Sequence, residues 1–550
     1  MSPARGHTGS LRFLSRFAAI HDALHRARRR HRHRHRRRQR KLHTPGVAAG
    51  SGSKVPSAET DAATCQQGQG AENMARQLGF EELPEDILHR IHSLLPIEDA
   101  ARAACVSRGL LHCWRHYSNL ILIDNALCFD HENFEERTTD FVLKIDKILR
   151  NHYANGVTVK TLKLELINCS NIKASYLDRW LRIAMRPGIQ ELCLVMPSVM
   201  KKSYNFPCSV LSDEAAATSI QSLSLLACAF HPTSTLGCLR RLKSLRLSFV
   251  HIAEEALGHL LLKSSALERF ELFYCSGITC LKIPYTLQQL KFLSKYCKMV
   301  RVVQIDAPQL CFFHYGGTPV IYVRNSSQLK NVYISAVGLS GILSHARFSL
   351  PSIAQNVESL TLYGCSEDAN TPMLSSKLPH LKNLEIILRH YFSPNYDVFT
   401  LVSFLDASPA LESFILRVSH NLEQVPGVGD DDEYRRQNPE CRHNNLRKVM
   451  ITGFCSAKSL VELTVHILDR IHSLERLTLD TTYGYDRCTC NSGKFPTTRT
   501  IGRCWPMSKR ALEEAHRAMK TAGRYIKERV PSSVQFEVLG PCSRCHIGKL

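Results

Sequence analysis

No run of about 18 apolar residues occurs anywhere in the chain, which removes a transmembrane helix. The start also lacks a secretory apolar region, because Arg12 and Arg16 interrupt "LRFLSRFAAI". Cysteine is plentiful, at 21, but the short, even spacing of a secreted disulfide framework is missing. The thiols therefore read as reduced, in a nuclear or cytoplasmic protein. Signatures of catalysis are missing too: there is no phosphate-binding glycine loop, no Gly-x-Ser-x-Gly elbow and no His-Glu-x-x-His pair. The expectation is a protein that is not an enzyme, needs no cofactor and works away from membranes.

Acidic residues are nearly absent from residues 1–45, where Asp22 stands alone against 14 Arg and Lys. This leader carries +13 of the chain's net +22, so the charge is a local tract rather than a basic domain face. "RARRRHRHRHRRRQRK", Arg26 to Lys41, is too densely like-charged to fold alone and suits an importin-like or nucleic-acid contact. A solvated low-complexity tail and a transit peptide are competing readings. Nucleic-acid binding is not expected elsewhere. Residues 1–73 thus form a disordered basic leader and linker, after which Met74 offers a restart.

Residues 83–114, "LPEDILHRIHSLLPIEDAARAACVSRGLLHCW", are punctuated as three short helices. Pro84 sits where a missing N–H costs nothing, and Glu85 and Asp86 complement the positive end of a helix dipole. Ile87, Leu88, Ile91, Leu94 and Leu95 make an apolar stripe wider than one neighbouring helix needs. Pro96 ends that helix, Ala100, Ala101, Ala103 and Ala104 line the next, and Ser107 caps the third. About forty residues cannot alone close a core around so broad a surface.

The segment, bounded at 79–118, resembles the F-box, the module that docks onto the adaptor subunit of a cullin-type ubiquitin ligase. The resemblance implies that Leu83, Pro84, Ile87, Leu88, Ile91, Leu95, Val106 and Trp114 bind the adaptor or form the module's core, and that the adaptor links the chain to a cullin scaffold. One departure is Gly109-Leu110, where the family usually carries a further tryptophan.

After linker helices at 119–156, the pattern apolar-x-x-apolar-x-apolar recurs twelve times over residues 157–485, including "VKTLKL" at Val159, "LKSLRL" at Leu242, "VRVVQI" at Val300, "LKNVYI" at Leu329 and "LERLTL" at Leu474. Steps of roughly 22 to 35 residues are those of a loosened leucine-rich repeat. The fold class is α/β: a small three-helix F-box followed by a leucine-rich-repeat solenoid, or horseshoe. From Leu446, "LRKVMITGFCSAKSLVELTVHILDRIHSLERLTLD" resembles the FBD segment that closes many plant F-box/leucine-rich-repeat proteins. Cys228, Cys275 and Cys365 fall where such repeats place a residue that bonds the backbone of the neighbouring turn.

The residue between the last two apolar positions points away from the core. That row reads Lys163, Cys193, Ser224, Arg246, Glu271, Gln304, Tyr333, Thr361, Glu385, Ile415, Met450 and Thr478. Its mixed chemistry suits a protein target of unknown identity, with Arg246, Phe273, Tyr333 and Tyr363 as contacts, since aromatics and Arg dominate interface energetics. An ordinary solvated face is the competing reading. No metal is expected: the acids at Asp430 to Glu433 lack alternating ligand spacing, and Cys488, Cys490 and Cys504 stand far from Cys542, Cys545 and His546. Residues 486–550 read as a helix–strand cap. The function implied is substrate receptor of an SCF-type ligase. A nuclear or chromatin scaffold without adaptor binding is the alternative.

Overall fold

Pro84 sets the entry to α1 (Glu85–Leu94): its φ is −54°, and its carbonyl accepts from Ile87 N and Leu88 N at 3.0 Å. Pro96 repeats the device for α2 (Ile97–Val106), with Glu98 and Asp99 in the first turn. Ser107 is extended and caps α3 (Arg108–Arg115), its hydroxyl accepting from Leu110 N at 3.5 Å. The computed structural model describes residues 83–123, 134–169, 172–197, 203–233, 239–366, 377–388, 396–419, 443–482 and 507–542. The basic leader, the acids at 430–433, and Cys488, Cys490, Cys504, Cys545 and His546 lie outside the described residues.

Leu88, Leu110 and Cys113 form a small core within the helical module, with Leu83 and Ala103 against it. Ile97, Ala100 and Tyr117 instead belong to the long core that runs through the rest of the chain, and Leu95 and Trp114 pack on it. Polar contacts tie the same seam. The Tyr117 hydroxyl donates to Leu95 O at 2.9 Å, His92 Nε2 lies 3.1 Å from Ala100 O, and His152 Nε2, on the Phe134–Ala154 helix, lies 2.8 Å from Tyr117 O. Burial lowers the pKa of His92, against the opposing pull of the Ala100 carbonyl.

Beyond the module, fifteen strands form one parallel sheet in chain order, from Asn119–Ile123 to Gln535–Leu539. The alternation seen in the hexads sets the burial: in Thr161–Glu165, Leu162 and Leu164 are fully buried while the residues between them are half-exposed. Helices such as Ala174–Ala184, Glu254–Leu262 and Lys458–Arg470 pack Leu177, Leu260 and Leu463 into the same core. One further device runs along the strand starts, where Glu268 lies 3.7 Å from both Lys243 and Lys291, and Glu358 lies 2.9 Å from Lys330 and 3.2 Å from Lys382. These exposed pairs add little energy each, but they favour one register.

The middle of the solenoid departs from this plan. Between the sheet strands Arg269–Phe273, Phe292–Tyr296, Phe312–Gly316 and Asn331–Ser340, the connections are themselves strands. Cys280–Ile283, Val302–Asp306 and Val320–Arg324 make a second parallel sheet in the places that helices take elsewhere. Leu281, Ile305 and Ile321 share a core with Leu293 and Phe313. This corrects one expectation: "VRVVQI" is a strand of the second sheet, so Gln304 leaves the row, and Ser294 and His314 take that stretch between Glu271 and Tyr333. A hexad reports a half-buried strand, not the side of the coil on which it lies.

Close approach requires glycine at several positions, Gly316 and Gly453 among them. A Cβ at Gly316 would fall 1.9 Å from the Tyr296 ring, and one at Gly453, whose φ is +76°, would fall 1.9 Å from Val418 O. Gly453 begins the turn between the Lys448–Thr452 strand and the Lys458–Arg470 helix. The last helix, Lys509–Thr521, is capped by Ser508 and reaches that turn through buried Glu514, which accepts from Ser456 N at 2.8 Å and Ser456 Oγ at 2.7 Å. The Gln535–Leu539 strand then pairs with Arg476–Asp480.

Candidate docking surfaces

On the module, the stripe that α1 presents is only partly consumed by folding. Leu88 is buried, yet Leu94 is 74% exposed and Ile87 43% exposed. Val106 at the end of α2 is 82% exposed and Leu111 on α3 is 38% exposed. The eight residues expected to serve the adaptor therefore divide by position. Pro84, Ile87 and Val106 are on the surface; Leu83 and Ile91 are half-buried; Leu88 closes the small core. Leu95 and Trp114 are turned to the solenoid, where Trp114 stacks on Tyr117 with ring centroids 5.6 Å apart. Those two are structural supports, because a side chain committed to one core has little surface left for a partner. Leu94 and Leu111 add exposed apolar surface outside those eight, and Leu94 stands seven residues after Ile87 on the same helical face. At the departure from the family pattern, Leu110 fills the small core and Gly109 is exposed.

The open face of the long sheet carries the expected row with two insertions. Pairing runs Lys163, Cys193, Ser224, Arg246, Glu271, Ser294, His314, Tyr333, Thr361, Glu385, Ile415, Met450, Thr478, and on to Glu537. Arg246 Nε is 2.5 Å from Glu271 Oε2, and Arg269 donates to the other oxygen of the same buried carboxylate at 3.1 Å. Arg417 pairs likewise with Glu385 at 2.7 Å. Arg246 is thus fixed rather than free.

Aromatic rings gather beside these pairs. Phe292 and Phe312 stack at 4.7 Å, and the Arg269 guanidinium lies 4.0 Å from the Phe292 centroid. His314 meets Tyr333 edge-on at 4.6 Å and lies 6.5 Å from Phe273. Of the four expected target contacts, Arg246, Phe273 and Tyr333 border this aromatic group; Tyr363 is half-buried, paired across the sheet to Ser335 and Ile387. Phe292 and Phe312 were missed because "LKFLSK" puts Lys295, and "LCFFHY" puts Tyr315, at the last apolar position of the hexad.

Beneath the aromatics, polar groups satisfy one another across adjacent strands. Ser294 Oγ is 2.8 Å from His314 Nδ1, His314 Nε2 is 3.0 Å from Ser335 Oγ, and the Ser335 hydroxyl donates to Tyr315 O at 3.4 Å. A neutral imidazole completes this chain in one direction, accepting from Ser294 and donating to Ser335. Burial and then the charge of Lys295 hold the His314 pKa down to about 3. Lys295 points into the core, where Nζ donates to Gly316 O at 3.0 Å, and burial lowers its pKa to about 8 despite the opposing effect of Cys297. Cys275 donates to Leu247 O at 3.4 Å, one repeat back, and accepting from Cys275 N at 3.2 Å makes Cys297 a further rung. Burial pushes the Cys228 thiol up to about 12, which makes it a poor nucleophile. The Cys365 side chain lies outside the described residues.

Towards the carboxy-terminal end, Ile415, Met450, Thr478 and Glu537 line an open depression of about 430 Å³ on the same face. Among the described residues, no helix is long and apolar enough to cross a membrane.

Three helices seated on a parallel repeat sheet define the class of an F-box module joined to leucine-rich repeats. A family model for the F-box domain matches residues 80–122, and one described as "At1g61320/AtMIF1, LRR domain" matches residues 148–543. The chain belongs to the F-box/leucine-rich-repeat proteins, with its repeats in the At1g61320/AtMIF1 LRR domain family. It is similar to F-box/LRR-repeat protein At5g02910 of Arabidopsis thaliana, 25% identical over 296 residues, covering 52% of this chain and 60% of that protein. To F-box/LRR-repeat protein At3g26922 of the same plant it is 26% identical over 31% of this chain and 51% of the relative. The chain thus spans between half and two thirds of those two proteins. A longer match, 26% identical, joins 74% of this chain to 91% of the putative F-box/FBD/LRR-repeat protein At5g56810, also from Arabidopsis thaliana.

Proposed function

We propose that this chain is a substrate receptor of an SCF-type, cullin-based ubiquitin ligase, acting in the nucleus or the cytoplasm. The module holds the adaptor, and through it the cullin scaffold, while the open face of the sheet holds a protein target. F-box/LRR proteins are generally non-catalytic adaptors, so the mechanism is proximity: tethering raises the local concentration of target lysines near a conjugating enzyme carried elsewhere. One observation carries the reading. The module's own core is closed by Leu88, Leu110 and Cys113, yet Ile87, Leu94, Val106 and Leu111 are left in water, which is apolar surface that folding does not use.

For the target, the fixed Arg246–Glu271–Arg269 cluster beside Phe312 and Tyr333, seated on buried Phe292, offers rigid aromatic and guanidinium contacts that lose little entropy on binding. The test uses the full chain in two variants. Ile87→Asp with Leu94→Glu should abolish co-purification of the adaptor while leaving proximity labelling of the target in place. Arg246→Ala with Tyr333→Ala should do the reverse. Adaptor recovery undiminished by the first pair would remove the assignment.

A further inference from the structure

The surface of the module holds a side-chain cluster outside the residues expected to meet the adaptor. Glu85 and His89 stand one turn apart on α1, with His89 Nε2 3.6 Å from Glu85 Oε1. His112, in the last turn of α3, brings Nδ1 to 2.9 Å from the same carboxylate oxygen. One ligand atom from each of the three residues lies within 4.8 Å of the others. His116, one turn beyond His112, completes the group: its ring is 4.8 Å from that of His112 and 6.0 Å from that of His89. Helix dipoles account for Glu85 at the start of α1 and His112 at the end of α3, taken singly. They do not account for two imidazoles, His89 and His112, converging on one carboxylate from two helices, with the His116 ring set against both.

Tetrahedral zinc holds nitrogen and oxygen ligands at about 2.0–2.2 Å, so its ligand atoms stand roughly 3.4 Å from one another. The two Glu85 contacts already bracket that spacing, and the third side, between His89 and His112, is no longer than 4.8 Å. Three nitrogens and one oxygen favour a borderline divalent ion over the hard cations, calcium and magnesium, which take oxygen. We propose that Glu85, His89 and His112, with His116 as the fourth ligand, bind a divalent transition-metal ion of the zinc type that clamps α1 to α3. The site departs from the expectation that no metal is bound, and it does not depend on the ligase reading. The sequence signal was present as two residue pairs four apart, Glu85 with His89 and His112 with His116.

Bulk zinc uptake would be confounded by the histidines at 31, 33 and 35 and by the carboxy-terminal cysteines, so the readout must resolve residues. The experiment is modification of the full chain by diethyl pyrocarbonate with and without zinc chloride, followed by peptide mass spectrometry. With zinc, modification of His89, His112 and His116 should slow by about tenfold or more, while exposed His259 on the Glu254–Leu262 helix reacts at an unchanged rate. Glu85→Gln should weaken the protection of all three rings, with circular dichroism reporting the fold intact. Equal reactivity with and without zinc, or protection of His89 and His116 that survives both Glu85→Gln and His112→Ala, would overturn the site.

Discussion

The helical module and the middle of the sheet present two opposite kinds of surface. On the module, Leu94 and Val106 face water with nothing to meet them, whereas on the sheet Phe292 lies against Phe312 and Arg269, and Arg246 against Glu271. A partner gains free energy on the module simply by covering carbon, at about 25 cal/mol per Å². On the sheet a partner must match charges and rings already fixed in place, so mismatched groups lose contacts as well as water. The first surface suits one constant partner and the second suits discrimination among many.

The two surfaces respond differently to substitution. The largest expected effect is Phe313→Ala in the fully buried core between the two central sheets, which should lower unfolding free energy by about 4 kcal/mol in chemical denaturation. Glu271→Ala comes next: stranding two guanidiniums over a buried position should cost about 3 kcal/mol, and Arg246→Ala in that background should restore part of it. A titration gives a smaller effect. His314 is held neutral in the folded chain down to about pH 3 while the unfolded chain takes up a proton near pH 6.5. Its contribution is therefore full above that value and is lost as pH falls towards 3, with a slope approaching 1.4 kcal/mol per pH unit. Melting followed from pH 7 to pH 5 should show that slope in the parent and a flatter one in His314→Gln. The smallest effect belongs to the module: Leu94→Ala with Val106→Ala should change stability by no more than about 0.5 kcal/mol. A loss as large as that of Phe313→Ala would mean that those side chains serve the fold and not a partner.

Much of the repeat architecture was legible because a period of two within a period of twenty-odd residues marks a strand that returns to the same layer. Arg246, Glu271 and Tyr333 were placed in the right row on that basis. The central repeats were not legible. There Lys295 occupies an inward position because its stem packs while its ammonium reaches Gly316 O, and Gly316 stands at a strand end because the Tyr296 ring fills the space. Neither residue looks like a strand residue in sequence, and both follow from contacts one repeat away. In the module, helical spacing separated apolar from polar faces but could not say which apolar residues the solenoid would claim. Leu95 and Trp114 went to it, and Ile87 and Leu94 did not.

Ile97, Ala100 and Tyr117, with Trp114 packed on them, bind the helical module to the first rung of the stack. Among the described residues, the Asn119–Ile123 strand hydrogen-bonds on one flank only, to Thr161–Glu165, and α2 lies beside it. The helical module therefore covers the first rung of the stack, and excising it would bare a sheet edge prone to aggregation. The module transplanted onto an unrelated body would leave Ile97, Ala100 and Tyr117 without the core they share here.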